Sequence, residues 1–180
     1  RIRGSFHPAL MTDVVIRQAE TPADFENVRT LCWEYRDYLL SHSDEVRNAV
    51  SVRYSKANYT AIMAGLEQEH ARPKGIIFLA EMDGEPVGCG MTHPLSDTEA
   101  EIKRVYVRPS ARGCGVASSV SHALMVQARQ DGYETVFLDT SRLFTGAQSM
   151  YEKLGFRKRG PYSGQTPEID QFLVFYEFKL

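Results

Sequence analysis

"VYVRPSARGCGVASSV", Val105 to Val120, is the stretch on which the reading of this chain turns. An apolar strand end runs into a proline and an arginine, and Gly-Cys-Gly-Val-Ala then opens what reads as a helix. Such a turn suits an anion. Glycine lets backbone approach a ligand closely, and the first amides of a helix lack partners of their own. Several classes of phosphorylated ligand use loops of this kind, so the flanking sequence must decide between them.

Upstream, "GIIFLAEMDGEPVGCGMTHP" (75–94) reads as two strands joined at Asp83-Gly84, a strong hairpin signal. "TEAEIKRVYVRP" is a third strand, reached through the polar turn near Pro94–Asp97. Downstream, helix 115–131 closes on Gly132 as a left-handed cap. Strand 135–140, helix 146–154 closed by Gly155, and a final strand "FLVFYEFKL" follow. At the front, "VVIRQA" (14–19) is a strand, and Thr21-Pro22 opens a helix with proline as its first residue. Over 23–40 the residues Phe25, Val28, Leu31, Cys32, Tyr35, Tyr38 and Leu39 recur at three and four, which buries one helical face. A second, more polar helix is read over 55–70, where Tyr59, Ile62, Met63 and Leu66 keep the spacing. Three antiparallel strands followed by one β-α-β crossover make an α/β chain with a mixed, mostly antiparallel sheet flanked by helices.

Composition narrows the function. The chain of 180 residues is read as one domain over 11–180, large enough for its own core. "RIRGSFHPAL" (1–10) precedes Met11, has no apolar signal core, and is set aside as a leader. A formal net charge of −2 gives no field for gathering nucleic acid. Cys32, Cys89 and Cys114 are odd in number and scattered, which argues against a disulfide framework or a zinc site and fits a reducing, cytoplasmic setting. No apolar run approaches a membrane span; the best is "GIIFLA" at 75–80.

Elimination then acts on the glycine turn. A nucleoside-triphosphate loop needs Lys-Ser or Lys-Thr after its last glycine, and Val116-Ala117 stands there instead. For a dinucleotide, Gly113 and Gly115 have the first spacing and Asp139 ends the next strand, where a ribose-binding acid would sit. Against it, the third glycine position is Ser118, and the loop Arg108 to Gly113 separates strand from motif. The strand "EIKRVYV" also mixes charge with apolar residues, unlike a parallel strand buried on both faces.

What remains, Arg-x-x-Gly-x-Ala opening a helix, resembles the GNAT family of N-acetyltransferases. Arg112, Gly115 and Ala117 match the family signature. "VYVRP" before it and "MYEKLGF" (150–156) after it match two further segments in the family's order and spacing. The resemblance implies the GNAT fold with a splayed strand pair and acetyl-coenzyme A as co-substrate. The diphosphate would rest on residues 113–118, that is Gly113, Cys114, Gly115, Val116, Ala117 and Ser118, with Arg112 adding charge-assisted bonds. Lys103, Arg104 and Arg108 read as exposed charges within reach of the 3′-phosphate.

Ile102 has opposite parity to Val105 and Val107. Either a bulge lies between them or Ile102 faces the other side of the sheet. By resemblance, the main chain of Val105, Tyr106 and Val107 would pair with the pantetheine arm beside such a bulge.

Transfer to an amine needs a base for the ammonium proton and an acid for the departing thiolate. Tyr151 matches the family's tyrosine acid, its alternative being a packing aromatic. Glu101 lies where some members place their base, its alternative being a solvated glutamate; Glu99 and Asp139 are the reserves. Cys114 sits at a helix start, where thiol acidity rises, but the family transfers the acyl group directly, so it is a spectator. The five histidines have no partner at metal-ligand spacing, and no metal is expected.

Where many members carry an asparagine that helps hold the cofactor, seven residues before the tyrosine, this chain has Phe144. Thr145 beside it could supply a hydroxyl, or the loop could form an apolar wall. Trp33, Tyr38 and Tyr59, with Tyr35, Arg36, Arg53 and Tyr54, are the acceptor-side candidates. The expected function is acetyl transfer to the primary amine of a small, amino-acid-like metabolite, with no nucleic-acid or membrane partner and a homodimer compatible with the chain. Transfer to a protein N-terminus or lysine, and a non-catalytic acyl-coenzyme A sensor, are the rivals.

Overall fold

A computed structural model describes residues 13–162 and 166–180. Residues 1–10 lie outside the described residues, as do 163–165. The elements are β1 Val14–Gln18, α1 Pro22–Leu40, α2 Asp44–Arg53, α3 Lys56–Ala64, α4 Leu66–Glu69, β2 Ile76–Met82, β3 Glu85–Pro94, β4 Glu99–Val107, α5 Val116–Gln130, β5 Thr135–Ser141, α6 Thr145–Lys153, β6 Arg157–Arg159, α7 Pro167–Asp170 and β7 Leu173–Lys179. The strands form one seven-stranded sheet in the order β1-β2-β3-β4-β5-β7-β6. Every pairing is antiparallel except β4 with β5.

Helix α1 begins as its sequence dictates. The Thr21 hydroxyl accepts from the Asp24 amide at 3.2 Å, and Asp24 Oδ2 accepts from the Thr21 amide at 3.0 Å, a reciprocal capping box with Pro22 following. Arg17 donates to both Asp24 and Glu81 at 2.6 Å, which ties the helix start to the edge of the sheet. Two differences follow in the next segment. The helix expected over 55–70 breaks at Gly65 into α3 and α4, and α2 adds a helix that the pattern did not announce. In α2 only Val46 and Val50 are buried, while Val52 is 72% exposed, so its apolar stripe is too thin to read.

The sheet is covered on both faces. Along β2, Ile76 and Ala80 pack with α5, whereas Ile77 and Leu79 pack with α1, α3 and α4. The hairpin turns at Asp83 and Gly84, both at positive φ (53° and 81°), as a type I′ turn requires. Gly132 and Gly155 end α5 and α6 at positive φ.

Strand β4 resolves the parity question in favour of a bulge. Cys89 pairs with Tyr106 but Met91 pairs with Lys103, so β4 carries one extra residue, and Arg104 takes φ 51° there. Ile102, Val105 and Val107 consequently all join the α5 side of the core. Among the described residues, no helix is long and apolar enough to cross a membrane.

Candidate active site

Strands β4 and β5 pair only at Glu99–Thr135, Ala100–Val136 and Glu101–Phe137. Past that point they part, and a cleft of about 580 Å³ opens between them, lined by β4 from Glu101 to Val107 and by Leu138, Asp139 and Thr140 of β5. A parallel pair that separates leaves one side of β4 without its ladder, the arrangement in which an extended ligand can act as an added strand.

At one end stand Arg112, Gly113 and Ala117, at the start of α5. Gly113 and Gly115 adopt φ 83° and 76°, so glycine is required there by backbone conformation. No side chain caps α5, and its first internal bond is donated by Ser119 to the Gly115 carbonyl. The amides of residues 116–118 therefore have no partner within the helix. Arg112 Nε donates to the Val107 carbonyl at 3.1 Å, and its guanidinium lies 4.4 Å over the Tyr38 ring. That grip aims the cation across the cleft. Val105, Tyr106, Val107, Arg112, Gly113 and Ala117 of the sequence set line the cleft, whereas Cys114, Gly115, Val116 and Ser118 do not. Cys114 is exposed and Val116 is buried in the core, so neither presents its side chain to the cleft.

The cleft's other walls come from Tyr35 and Tyr38 of α1, Arg53 of α2, Tyr54, and the segment Phe144–Tyr151. Tyr151 is 6% exposed, and burial pushes its phenol well above the ordinary tyrosine value, so it keeps its proton. Phe144 forms an apolar wall, its ring 5.8 Å from Tyr38 and 4.8 Å from His42. Arg53 Nη2 stands 3.9 Å from Asp139 Oδ2, and its guanidinium lies 5.2 Å over the Tyr54 ring.

Two expectations need correction. Trp33 and Tyr59 do not line the cleft. Tyr59 is 1% exposed, its hydroxyl donates to the Cys32 carbonyl at 2.8 Å, and Trp33 packs edge-on against it at 5.0 Å. Periodicity placed Tyr59 on a buried face without naming the neighbour that buries it, and Trp33 lay outside the stripe read for its helix. Second, Arg104 is buried, with Nη1 3.4 Å from His70 Nε2, and Arg108 is tied to Glu34 at 2.7 Å and to the Pro86 carbonyl at 2.6 Å. Neither is an exposed charge.

Glu101 is 3% exposed, so its alternative reading as a solvated glutamate does not hold. It accepts from His93 Nε2, Lys103 Nζ and the Tyr162 hydroxyl, each at 2.8 Å. Burial opposes its charge, but these donors and the Lys103 cation prevail and bring its pKa down to about 2. His93 and Tyr162 had no signal in the sequence, because strand register and the far end of the chain bring them to Glu101.

A family profile described as "Acetyltransferase (GNAT) family" matches residues 28–156. The chain belongs to the GNAT acetyltransferase family. Among curated relatives, the uncharacterized N-acetyltransferase YjgM of Escherichia coli is 32% identical over 108 residues, 58% of this chain and 65% of that protein. Rat N-acetylaspartate synthetase is 34% identical over 101 residues, 54% of this chain but 33% of its own length. The chain thus spans less than two thirds of these relatives. The structure of PaiA N-acetyltransferase from Thermoplasma acidophilum in complex with coenzyme A superimposes with a TM-score of 0.67 at 17% identity, covering 93% of this chain and 99% of that one. At that identity the likeness establishes the GNAT fold.

In this GNAT chain one group of ligand-type atoms comes together against the sequence expectation. Glu69, His70 and His93 place a carboxylate oxygen and two ring nitrogens within 4.8 Å of one another. Their chemistry does not favour a metal ion. The buried Arg104 guanidinium points at His70 Nε2, and a second cation there would be repelled in a poorly solvated site.

Proposed function

We propose that the chain transfers an acetyl group from acetyl-coenzyme A to the primary amine of a small, amino-acid-like acceptor. The observation that carries this reading is the parting of β4 from β5 after Glu101, with the uncapped start of α5 at the same cleft. The diphosphate would rest on the amides of residues 113–118 with Arg112 across it. The pantetheine arm would lie along Val105–Val107 as an added strand. The thioester would then lie toward Tyr151 and the acceptor toward Glu101, both of which line the cleft.

The amine nitrogen attacks the thioester carbonyl, the C–N bond forms, and the C–S bond breaks. Tyr151, held protonated by burial, gives its proton to the departing thiolate and is reprotonated, through water, by the second proton that the attacking nitrogen sheds as the amide forms. Glu101 draws the acceptor's ammonium group and, through water, receives the proton it must lose. Arg53, lying over the Tyr54 ring in the cleft wall, supplies a cation suited to an acceptor carboxylate. The relative named N-acetylaspartate synthetase is consistent with that class of acceptor. Phe144 leaves the cofactor without the asparagine contact many GNAT members use, so backbone and Arg112 would carry more of its binding.

Release of free thiol from acetyl-coenzyme A, measured across a panel of amino acids, simple amines and peptides, tests the reading. Turnover with carboxylate-bearing amines is expected. Turnover with peptides alone would assign a protein acceptor, and tight coenzyme A binding without turnover would assign a sensor.

A further inference from the structure

His93 sits between two carboxylates. Its Nδ1 is 3.0 Å from Glu69 Oε1, its Nε2 is 2.8 Å from Glu101 Oε2, and in the sheet it is the cross-strand partner of Glu101. An imidazole facing two carboxylates donates from both nitrogens and is therefore a cation in this arrangement. Glu101 lines the cleft, while Glu69 lies on α4 with its side chain 37% exposed. The row thus runs from the acceptor's side of the cleft to water.

Resting on the acyltransfer reading, we infer that His93 is a positioning residue that sets the working state of Glu101. While the imidazole is doubly protonated, Glu101 is locked as its ion-pair partner; once the Nδ1 proton has passed through Glu69 to water, Glu101 can take a proton from the acceptor. The neutral ring keeps Nε2–H on Glu101 and still orients it. The proton then taken by Glu101 passes to water as the product leaves, so each turnover of an ammonium acceptor releases one proton to solvent.

The groups around His93 fit this role. Burial works against its charge, yet the bonds to Glu101 and Glu69 outweigh it, and its pKa is raised. Lys103, on the same face of β4, opposes the charge from that side. His70, stacked 5.4 Å away, is held neutral, because burial lowers its pKa to about 4. Its Nδ1 donates to the Thr92 carbonyl at 2.9 Å, and Arg104 occupies its Nε2. His93, set between two carboxylates, is thus the histidine of this cluster able to change charge.

The pH dependence of kcat/KM with an amine from the panel tests this in wild type, Glu69→Gln and His93→Gln, alongside NMR titration of the histidine ring signals. Wild type should show a one-proton acid limb that coincides with the His93 NMR midpoint, above the usual histidine value. Glu69→Gln, a change at a half-exposed site that spares the core, should move both midpoints down. His93→Gln should abolish the limb. A limb and NMR midpoint unmoved in Glu69→Gln, or a limb that survives in His93→Gln, would overturn the inference. If no amine is acetylated but the His93 midpoint still falls in Glu69→Gln and in Glu101→Gln, the acyltransfer reading fails while the coupling between His93 and Glu101 stands.

Discussion

Replacing Glu101 by glutamine removes a charge from a buried carboxylate while keeping its shape. Its pKa falls from the ordinary 4.5 to about 2 because His93, Lys103 and Tyr162 donate to it. At about 1.4 kcal/mol per pH unit, that shift corresponds to roughly 3 kcal/mol of folding stability at pH 7. The folded value is the depressed one, so the contribution is complete above the unfolded value of 4.5 and fades as the pH falls toward 2. At pH 3 the same relation leaves about 1.4 kcal/mol. Glu101→Gln should therefore be less stable than wild type by up to about 3 kcal/mol at pH 7 and by about half that at pH 3. Urea unfolding of both proteins at the two pH values measures the gap. A gap that is the same at pH 7 and pH 3, or below about 0.5 kcal/mol at pH 7, would refute the claim that these donors hold an ionised Glu101.

Three further outcomes are expected. Tyr151→Phe keeps the ring packing against Phe156 but has no proton to give, so kcat should fall about 100- to 1,000-fold with coenzyme A affinity unchanged, as read by steady-state kinetics and calorimetry. Gly115→Ala should destabilise the fold by about 1 kcal/mol, because φ 76° is strained for alanine although nothing stands within 4 Å of the added carbon. Gly115→Asn should recover part of that loss in urea unfolding, since asparagine tolerates the left-handed region. Arg112→Ala should weaken coenzyme A binding about tenfold in calorimetry, with the remaining affinity less sensitive to salt.

Where local chemistry decides, the sequence was readable. Thr21, Pro22 and Asp24 specify a helix start by themselves, and Asp83-Gly84 specifies a two-residue hairpin turn. The bulge in β4 was one of two readings the sequence allowed, since three apolar residues of mixed parity share a face only if one extra residue intervenes, and the strand register decided between them. Where tertiary packing decides, the sequence was silent. Two valines suffice for α2 only because α1 lies beside it, and β6, a run of Arg-Lys-Arg exposed at the sheet edge, is a strand only by pairing with β7. Trp33 belongs to a helix that lines the cleft and Tyr59 to its neighbour, yet their side chains pack against each other and the Tyr59 hydroxyl is taken by the carbonyl of Cys32.

The candidate site divides along the same line. Its anion-facing end is written into consecutive residues, since positive φ at Gly113 and Gly115 and an uncapped helix start are properties of one short segment. Its proton-handling end is assembled from four separate segments: Glu69 from α4, His93 from β3, Glu101 and Lys103 from β4, and Tyr162 from beyond β6. No spacing rule joins residues 24 and 61 positions apart, and only the register that sets His93 opposite Glu101 brings them into contact. The bulge binds the two ends together. One extra residue at Arg104 returns Val105 and Val107 to the face of Ile102 and turns Arg104 inward against His70. A single irregularity in β4 thus shapes the edge offered to the ligand and the cationic neighbourhood behind Glu101, so deleting it should disturb cofactor binding and proton handling together.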